Sequence, residues 1–249
     1  MKYQEIIVEQ SEGLAKIILN RPNKLNALTP LMIKEWLAAL SELSKDSNCK
    51  VIVVTGAGRA FSAGVDLEVF KTESVAPGFS MHEDGMDLMN LLETIPQVCI
   101  AMVNGFCFTG ATELLMAFDL IIAADESKIG DTHSKWGILP KWGMSQRLAK
   151  HVGLLKAKEL SFTAEPVSGK EAARIGLANK SVPLTDLEAE TILWAKKIMK
   201  NSSQTIAAMK QMYNFGHQST MAEGIQYELN YSADTSDKKE ALNNFKKNF

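Results

Sequence analysis

The strongest constraint on the fold of this chain is a recurring order of apolar run, glycine turn and helical segment. Val51-Ile52-Val53-Val54 is a short β-branched run that enters Thr55-Gly56-Ala57-Gly58. Residues 98–103 form a second apolar run, followed by the turn Asn104-Gly105 and by a predicted helix over residues 109–117. Short apolar runs bounded by turn residues are typical of buried strands. The recurrence predicts an α/β fold, a coiled stack of β-β-α units.

The N-terminal segments fit the same fold. Residues 5–8 and 14–19 are β-rich and flank a turn, so they predict a hairpin. Thr29-Pro30 combines a preferred N-cap residue with proline at the first helical position, which predicts an amphipathic helix to about Ser44. A further helix is expected to end near Glu93, and a further strand is expected over residues 120–123.

The C-terminal part of the chain has a different pattern. From Gly143 onward the sequence is almost wholly helical in character, with one short strand predicted over residues 180–182. No flexible linker separates this part from the rest. We predict a core of residues 1–190 and a helical C-terminal region of residues 191–249 that takes part in oligomerisation.

Charge, hydropathy and cysteine usage exclude several classes of protein. The formal net charge is −2 and no long basic stretch is present, which argues against a nucleic-acid partner. No uncharged apolar run reaches about 18 residues, so we expect no membrane span. Cys49, Cys99 and Cys107 lack metal-ligand spacing and predict buried free thiols. With no secretory signal at the N-terminus, these features predict a cytoplasmic protein.

Two segments have the composition of a site for an anionic group, although common nucleotide, metalloprotease and serine-hydrolase motifs are absent. In residues 58–67, small residues let the backbone turn and leave N–H groups free. In residues 103–114, a glycine-containing turn opens a helix whose first N–H groups have no internal partner. Gly110 and Glu113 are three residues apart and therefore share a helical face. This spacing places a carboxylate beside a backbone anion site.

Three segments resemble the marker regions of the crotonase superfamily, the enoyl-CoA hydratase/isomerase family. They are Arg21-Pro22-Asn23-Lys24-Leu25-Asn26-Ala27-Leu28, residues 61–67 and residues 104–113. Their order and separation also match, and the similarity extends nearly from end to end. The resemblance implies a crotonase-like spiral of β-β-α units and an acyl-CoA thioester as substrate. It implies no separate cofactor and no metal, because coenzyme A enters as part of the substrate.

The resemblance also implies roles for individual residues. The backbone N–H groups of Val65, directly after Gly64, and of Gly110 correspond to the family's oxyanion hole, which stabilises the enolate oxygen of the thioester. Glu113 corresponds to the first of two catalytic glutamates, which activates water. Donors fixed where charge develops each contribute about 10²–10³ in rate.

The sequence departs from the family pattern at two places. His133 stands where the second catalytic glutamate is expected, and a histidine can hydrogen-bond the substrate or donate a proton near neutral pH. Asp131 either reaches the site or caps a helix. The family's usual three glycines here read Thr109-Gly110-Ala111, so the middle glycine is kept, and Thr109 either narrows the pocket or caps the helix.

The resemblance further implies a binding surface for coenzyme A and the acyl chain. Lys24, Leu25 and Ala27 correspond to the segment against the adenine and phosphates, and Ala63, Gly64, Asp66 and Leu67 to the pantetheine channel. Acyl specificity is expected to depend on residues 70–89 with Trp136 and Trp142, which either close the pocket or pack behind it. Residues 238–245 resemble the family's C-terminal helix, and trimers or hexamers are the expected assemblies.

Several functions remain open at this point. A hydratase would convert a 2-enoyl-CoA to a 3-hydroxyacyl-CoA, and it is the main hypothesis. A double-bond isomerase needs only one base, so the missing second glutamate favours it. Decarboxylases and thioester hydrolases use the same oxyanion hole. A non-catalytic acyl-CoA-binding protein would keep the fold without the chemistry, and an assembly protein would have no affinity for coenzyme A.

Overall fold

The computed structural model of the protein describes residues 3–68, 81–232 and 237. Residues 69–80, which include part of the segment expected to govern acyl specificity, lie outside the described residues, as does the tail resembling the family's C-terminal helix. Within the described residues, two sheets and a set of helices are found, which confirms the predicted α/β class.

The larger sheet has six strands in the order β1-β2-β3-β5-β7-β10. The first two strands form the predicted antiparallel hairpin, and the other neighbours are parallel. The strands are β1 (Ile6–Ser11), β2 (Leu14–Leu19), β3 (Val51–Gly56), β5 (Val98–Val103), β7 (Leu120–Ala124) and β10 (Lys180–Val182).

The smaller sheet has four strands in the order β4-β6-β8-β9, of which the first three are parallel. They are β4 (Ala60–Ser62), β6 (Phe106–Phe108), β8 (Lys128–Gly130) and β9 (Val167–Ser168). Each of β4, β6 and β8 directly follows a strand of the larger sheet, so every turn of the chain adds one strand to each sheet. This is the predicted β-β-α coil. The sequence did not predict these short strands individually.

For three helices the sequence predicted a start or an end, and the structure agrees within two residues: Pro30–Leu43, the end at Thr94, and Gly110–Leu115. The helices are α1 (Pro30–Leu43), α2 (Met81–Thr94), α3 (Gly110–Leu115), α4 (His133–Trp136), α5 (Met144–Val152), α6 (Leu154–Thr163), α7 (Gly169–Arg174), α8 (Leu187–Met199), α9 (Ser203–Gln218) and α10 (Met221–Asn230). Pro22–Lys24 and Leu184–Asp186 are short 3-10 helices. The predicted cap of α1 is confirmed, because the Thr29 hydroxyl accepts a hydrogen bond from the Met32 N–H.

The larger sheet is buried on both faces, which explains its continuous apolar runs. Along β3, Ile52 and Val54 belong to the core that includes residues of α1 and α2. Val51 and Val53 belong to a second core that includes residues of α8. Successive side chains of a strand point to opposite faces of the sheet, so this run of four residues contributes two side chains to each core. All three cysteines are buried and free, as predicted.

The C-terminal helices are fixed to the sheet region by a buried lysine on α9. Lys210 Nζ donates hydrogen bonds to Asp119 Oδ2 at 2.8 Å and to the carbonyl oxygens of Leu92 and Gln97. The predicted domain boundary at residue 190 falls inside α8 and remains a prediction. Among the described residues, none of the helices is both long enough and apolar enough to cross a membrane.

Candidate active site

A cavity of about 400 Å³ lies against the N-terminal end of α3. Every predicted site residue except Leu25 and Gly64 lines it, including Val65, Gly110 and Glu113. The structure therefore brings these residues together at one cavity, and their roles remain predictions. Further lining residues that were not predicted are Phe108, Thr132, Ile138, Leu139 and Lys141.

Two backbone turns meet at this cavity. Leu28 pairs with the strand-like segment around Val65, because the Leu28 N–H donates to Gly64 O and the Asp66 N–H donates to Leu28 O. This pairing leaves the Val65 N–H unused, and Gly110 is the first residue of α3 and has no intrahelical acceptor. Neither N–H group has a hydrogen-bond partner among the residues that the structure describes. The cavity wall thus offers two backbone donors.

Gly64 explains how the two turns come so close. Its φ of +93° is a conformation that favours glycine, and a Cβ there would lie 2.7 Å from Phe108 O. On the other side, a Cβ at Gly110 would lie 3.2 Å from Val65 Cγ2. Glycine is therefore required at both positions, because a side chain at either one would collide with the facing residues. Gly64 shapes the site through its backbone although it does not line the cavity.

Thr109 occupies a strained position directly before Gly110. Its φ of 53° and ψ of −120° are unusual for a residue with a side chain. Thr109 occupies the predicted N-cap position of α3, but its hydroxyl makes no capping hydrogen bond. It pairs instead with the hydroxyl of Thr132 at 2.8 Å. Thr109 lines the cavity, which agrees with the alternative prediction that it narrows the pocket.

Glu113 is a buried carboxylate with its two oxygens in different environments. Its Oε1 accepts hydrogen bonds from the backbone N–H groups of Trp142 at 2.8 Å and Met144 at 3.1 Å. Its Oε2 lies 3.4 Å from His133 Nε2. One oxygen is therefore anchored, and the other is directed at His133.

His133 is held between two carboxylates. Its Nδ1 lies 2.6 Å from Asp131 Oδ1, and its Nε2 faces Glu113. Burial lowers the pKa of His133, but the hydrogen bonds to Asp131 and Glu113 outweigh it and raise the pKa to about 9. Since this value lies well above neutrality, the ring is an imidazolium near pH 7 and both nitrogens carry protons. The site therefore pairs an anionic group with a cationic acid.

Asp131 reaches the site through His133. Burial raises the pKa of its carboxyl group, but hydrogen bonds from His133 and Ser161 outweigh burial, so the pKa is lowered. Thr132 and not Asp131 occupies the N-cap position of α4, but the Asp131 carboxylate accepts the backbone N–H of His133, the first residue of that helix, at 3.2 Å.

Comparison with known proteins identifies the family. The family model described as enoyl-CoA hydratase/isomerase matches residues 9–248. The chain belongs to the enoyl-CoA hydratase/isomerase family.

Relatives in this family are similar over most of their length. The chain is 35% identical to a probable enoyl-CoA hydratase of Mycobacterium tuberculosis, covering 92% of this chain and 88% of the relative. It is 33% identical to the short-chain-enoyl-CoA hydratase of Clostridium acetobutylicum, and the alignment covers 98% of this chain and 95% of the relative. The crystal structure of an enoyl-CoA hydratase from Bacillus anthracis superimposes with a TM-score of 0.83 at 31% identity. The superposition covers 97% of this chain and 90% of that structure.

Several residues predicted to bind coenzyme A line the cavity. They are Lys24, Ala27, Ala63 and Leu67. Asp66 lines it too, but its carboxylate is paired with Arg21 at 3.0 Å. Leu25 does not line the cavity. Its carbonyl oxygen accepts the Ala63 N–H at 2.9 Å and so joins the two predicted segments.

The two tryptophans assigned to acyl specificity have different positions. Both line the cavity, but Trp136 is 58% exposed whereas Trp142 is 3% exposed. The indole of Trp142 packs against Gly110 and against Gly85 of α2, and its Nε1 donates to His82 O at 3.2 Å. Trp142 therefore forms a wall of the cavity and also anchors Glu113 through its backbone.

Gly85→Ala is expected to destabilise the protein by about 1–3 kcal/mol through overpacking. A Cβ at Gly85 would lie 2.2 Å from Trp142 Cε2, and displacement of Trp142 would also disturb the N–H that holds Glu113. Intrinsic helix propensity predicts the opposite sign, since alanine is favoured over glycine by about 1 kcal/mol. Urea unfolding measures the change in the free energy of unfolding.

Gly216→Ala is the matched control for this substitution. Gly216 also lies in a helix, α9, but a Cβ there would meet nothing within 4 Å. Alanine at this position is expected to stabilise the protein by about 0.5–1 kcal/mol. Equal stabilisation by both substitutions would show that Trp142 does not fill the space beside Gly85.

Some residues of the site carry no local signal in the sequence. Ser161 lies within α6 and donates to Asp131 Oδ2 at 2.6 Å. Met144 contributes only its backbone N–H. Asn104 follows a strand, and its side-chain amide donates hydrogen bonds to the carbonyl oxygens of Gly56 and Gly58. Because asparagine is favoured in turns, this residue could be recognised from the sequence. Ser161 and Met144 could be assigned only from the tertiary structure.

Proposed function

We propose that this protein is an enoyl-CoA hydratase that adds water to a 2-enoyl-CoA thioester. The observation that carries the proposal is the facing pair Glu113 Oε2 and His133 Nε2, 3.4 Å apart. The pair lies in the same cavity as the unpartnered N–H groups of Val65 and Gly110. Hydration needs a base for water, an acid for the α-carbon and donors for the enolate oxygen, and these groups supply all three.

The proposed reaction proceeds through an enolate. The thioester oxygen accepts hydrogen bonds from the N–H groups of Val65 and Gly110. Glu113 takes a proton from water while the water oxygen bonds to Cβ, and the electron pair of the double bond moves toward the thioester oxygen. His133 Nε2 then gives its proton to Cα. Transfer of the proton from Glu113 to His133 restores both groups, so one water is consumed and one 3-hydroxyacyl-CoA is formed.

Coenzyme A is proposed to enter as part of the substrate, with no separate cofactor. Lys24, which the resemblance assigns to the nucleotide, is an exposed residue of the cavity lining, and Lys141 is another. Ammonium groups at these positions attract phosphates electrostatically. The two relatives reported above, a probable enoyl-CoA hydratase and a short-chain-enoyl-CoA hydratase by name, support the same substrate class.

The test is the loss of conjugated-thioester absorbance with a panel of 2-enoyl-CoA substrates of different chain lengths. Saturable turnover that yields the 3-hydroxyacyl-CoA is expected. Formation of the conjugated thioester from a 3-enoyl-CoA, without hydration, would instead identify an isomerase. Tight binding of acyl-CoA by calorimetry without turnover of either substrate would identify a binding protein and overturn the proposal.

We also propose a homotrimer or homohexamer in the cytoplasm. Large apolar side chains on the C-terminal helices are exposed in the single chain, among them Tyr213, Met221 and Leu229. Such a surface is unusual for a monomer and suits a subunit interface. The three free buried cysteines are compatible with a reducing compartment. Light scattering should give three or six times the chain mass, and a monomeric mass would overturn the assembly.

A further inference from the structure

We propose that Asp131 and Ser161 are positioning residues that hold His133 with its Nε2–H directed at Glu113 and the substrate. The role in turnover rests on the proposed hydration. The orientation and protonation of the imidazole are properties of the free protein and can be measured without any reaction. Failure of one proposal can therefore be separated from failure of the other.

The contacts form a continuous chain across three elements. Ser161 on α6 donates its hydroxyl proton to Asp131 Oδ2 at 2.6 Å. Asp131 Oδ1 accepts from His133 Nδ1 at 2.6 Å and from the His133 backbone N–H at 3.2 Å. The second ring nitrogen of His133 faces Glu113 on α3. Both carboxylate oxygens of Asp131 are thus hydrogen-bonded, and Asp131 does not line the cavity.

These hydrogen bonds are buried, which increases the cost of losing one of them. Asp131 is 5% exposed and His133 is 6% exposed, so water cannot readily replace a lost partner. The backbone of Ser161 is itself tied to α4, because Ser134 Oγ donates to Ser161 O at 2.9 Å. This second connection fixes the distance between α6 and α4. The arrangement is therefore preorganised before a substrate binds.

The chemistry requires one particular protonation state of the imidazole. In the imidazolium both ring nitrogens carry protons, so Asp131 holds the Nδ1–H while the Nε2–H can act as a proton donor. Without the Asp131 carboxylate the imidazolium loses a counter-charge, and the neutral ring with its single proton becomes more populated. When that proton is on Nδ1, a lone pair on Nε2 faces Glu113 Oε2, which is also an acceptor. An acid would be lost from the site, and two acceptors would oppose each other.

The charges around His133 favour the imidazolium. Glu113 and Asp131 are the charged groups in direct contact with the ring. The other titratable groups of the described cavity wall are Lys24, Asp66, His82 and Lys141. Burial alone lowers the pKa of His133, and the hydrogen bond to Asp131 is the largest of the effects that raise it to about 9. Activity that needs this proton is therefore expected below about pH 9 and lost as the pH rises through that value.

Asp131→Asn is the decisive variant, because asparagine keeps the size of the side chain and removes its charge. The pKa of His133, followed by NMR of the ring nitrogens, is expected to fall by at least about one unit. The high-pH limb of the kcat/KM profile should move down by the same amount. Ser161→Ala removes only the support of Asp131 and should move both quantities in the same direction by less.

Thr163→Ala is the matched control, since Thr163 is an exposed hydroxyl residue of α6 whose Oγ1 donates to Glu159 O and makes no hydrogen bond to Asp131. Neither the His133 titration nor the pH profile should move in this variant. An unchanged His133 titration in Asp131→Asn would overturn the proposal, whatever the activity. A loss of activity that is equal at every pH, with a lower Tm, would also overturn it by showing a merely structural role. A shifted titration in a protein without hydratase activity would sustain the positioning role and refute the proposed reaction.

Discussion

Glu113→Gln is expected to lower kcat/KM for hydration of a 2-enoyl-CoA by about 10²–10⁴-fold, the usual contribution of a positioned acid–base group. Glutamine has nearly the same shape, and its Oε1 can still accept the N–H groups of Trp142 and Met144. The fold and the anchoring of the side chain should therefore survive. The basic oxygen opposite His133 is replaced by an amide that cannot take a proton from water. Steady-state kinetics and Tm should be measured together.

The matched control is Glu165→Gln, at an exposed position outside the cavity. Its kinetics should equal those of the unmodified protein. If Glu113→Gln kept more than about a tenth of the activity, Glu113 would not be the base, because a tenfold loss is below the range for this type of catalysis. A large fall in Tm for Glu113→Gln would point instead to a role in holding the loop that contains Trp142.

Lys210→Met is expected to lower the free energy of unfolding by about 3–5 kcal/mol, which is the usual cost of removing one partner of a buried ion pair. Lys210 is 7% exposed, and its ammonium group contacts the Asp119 carboxylate and two backbone carbonyl oxygens. The substitution leaves Asp119 without its counter-charge. For a chain of this size the corresponding fall in Tm is about 6–20 °C. Urea unfolding and calorimetry measure the two quantities.

A paired substitution separates the charge from the packing. Combining Lys210→Met with Asp119→Asn removes both charges, so the double variant should be more stable than Lys210→Met alone. Lys197→Met, at an exposed position on α8, is the surface control and should change stability by no more than about 0.5 kcal/mol. A loss below 1 kcal/mol for Lys210→Met would mean that this contact does not hold α9 in place.

Local patterns in the sequence predicted the parts of the fold that local interactions control. The apolar runs of β3 and β5 had to be buried, and Thr29 before Pro30 gave the start of α1. The two glycine-containing turns and the three-residue spacing from Gly110 to Glu113 predicted a carboxylate beside backbone donors. Capping, turn formation and alternation act within a few residues, so one sequence suffices to detect them.

Contacts between distant residues were decided only by the tertiary structure. The strands of the smaller sheet have two or three residues each, too few for a periodic pattern, and they become strands because a neighbour supplies their hydrogen bonds. The N–H groups that hold Glu113 come from Trp142 and Met144, and the hydroxyl that supports Asp131 comes from Ser161. The path of the chain brings these groups together. The sequence alone thus determined the family, the turns and the acid–base candidates, whereas the arrangement that makes His133 a cation opposite Glu113 depends on packing between elements distant along the chain.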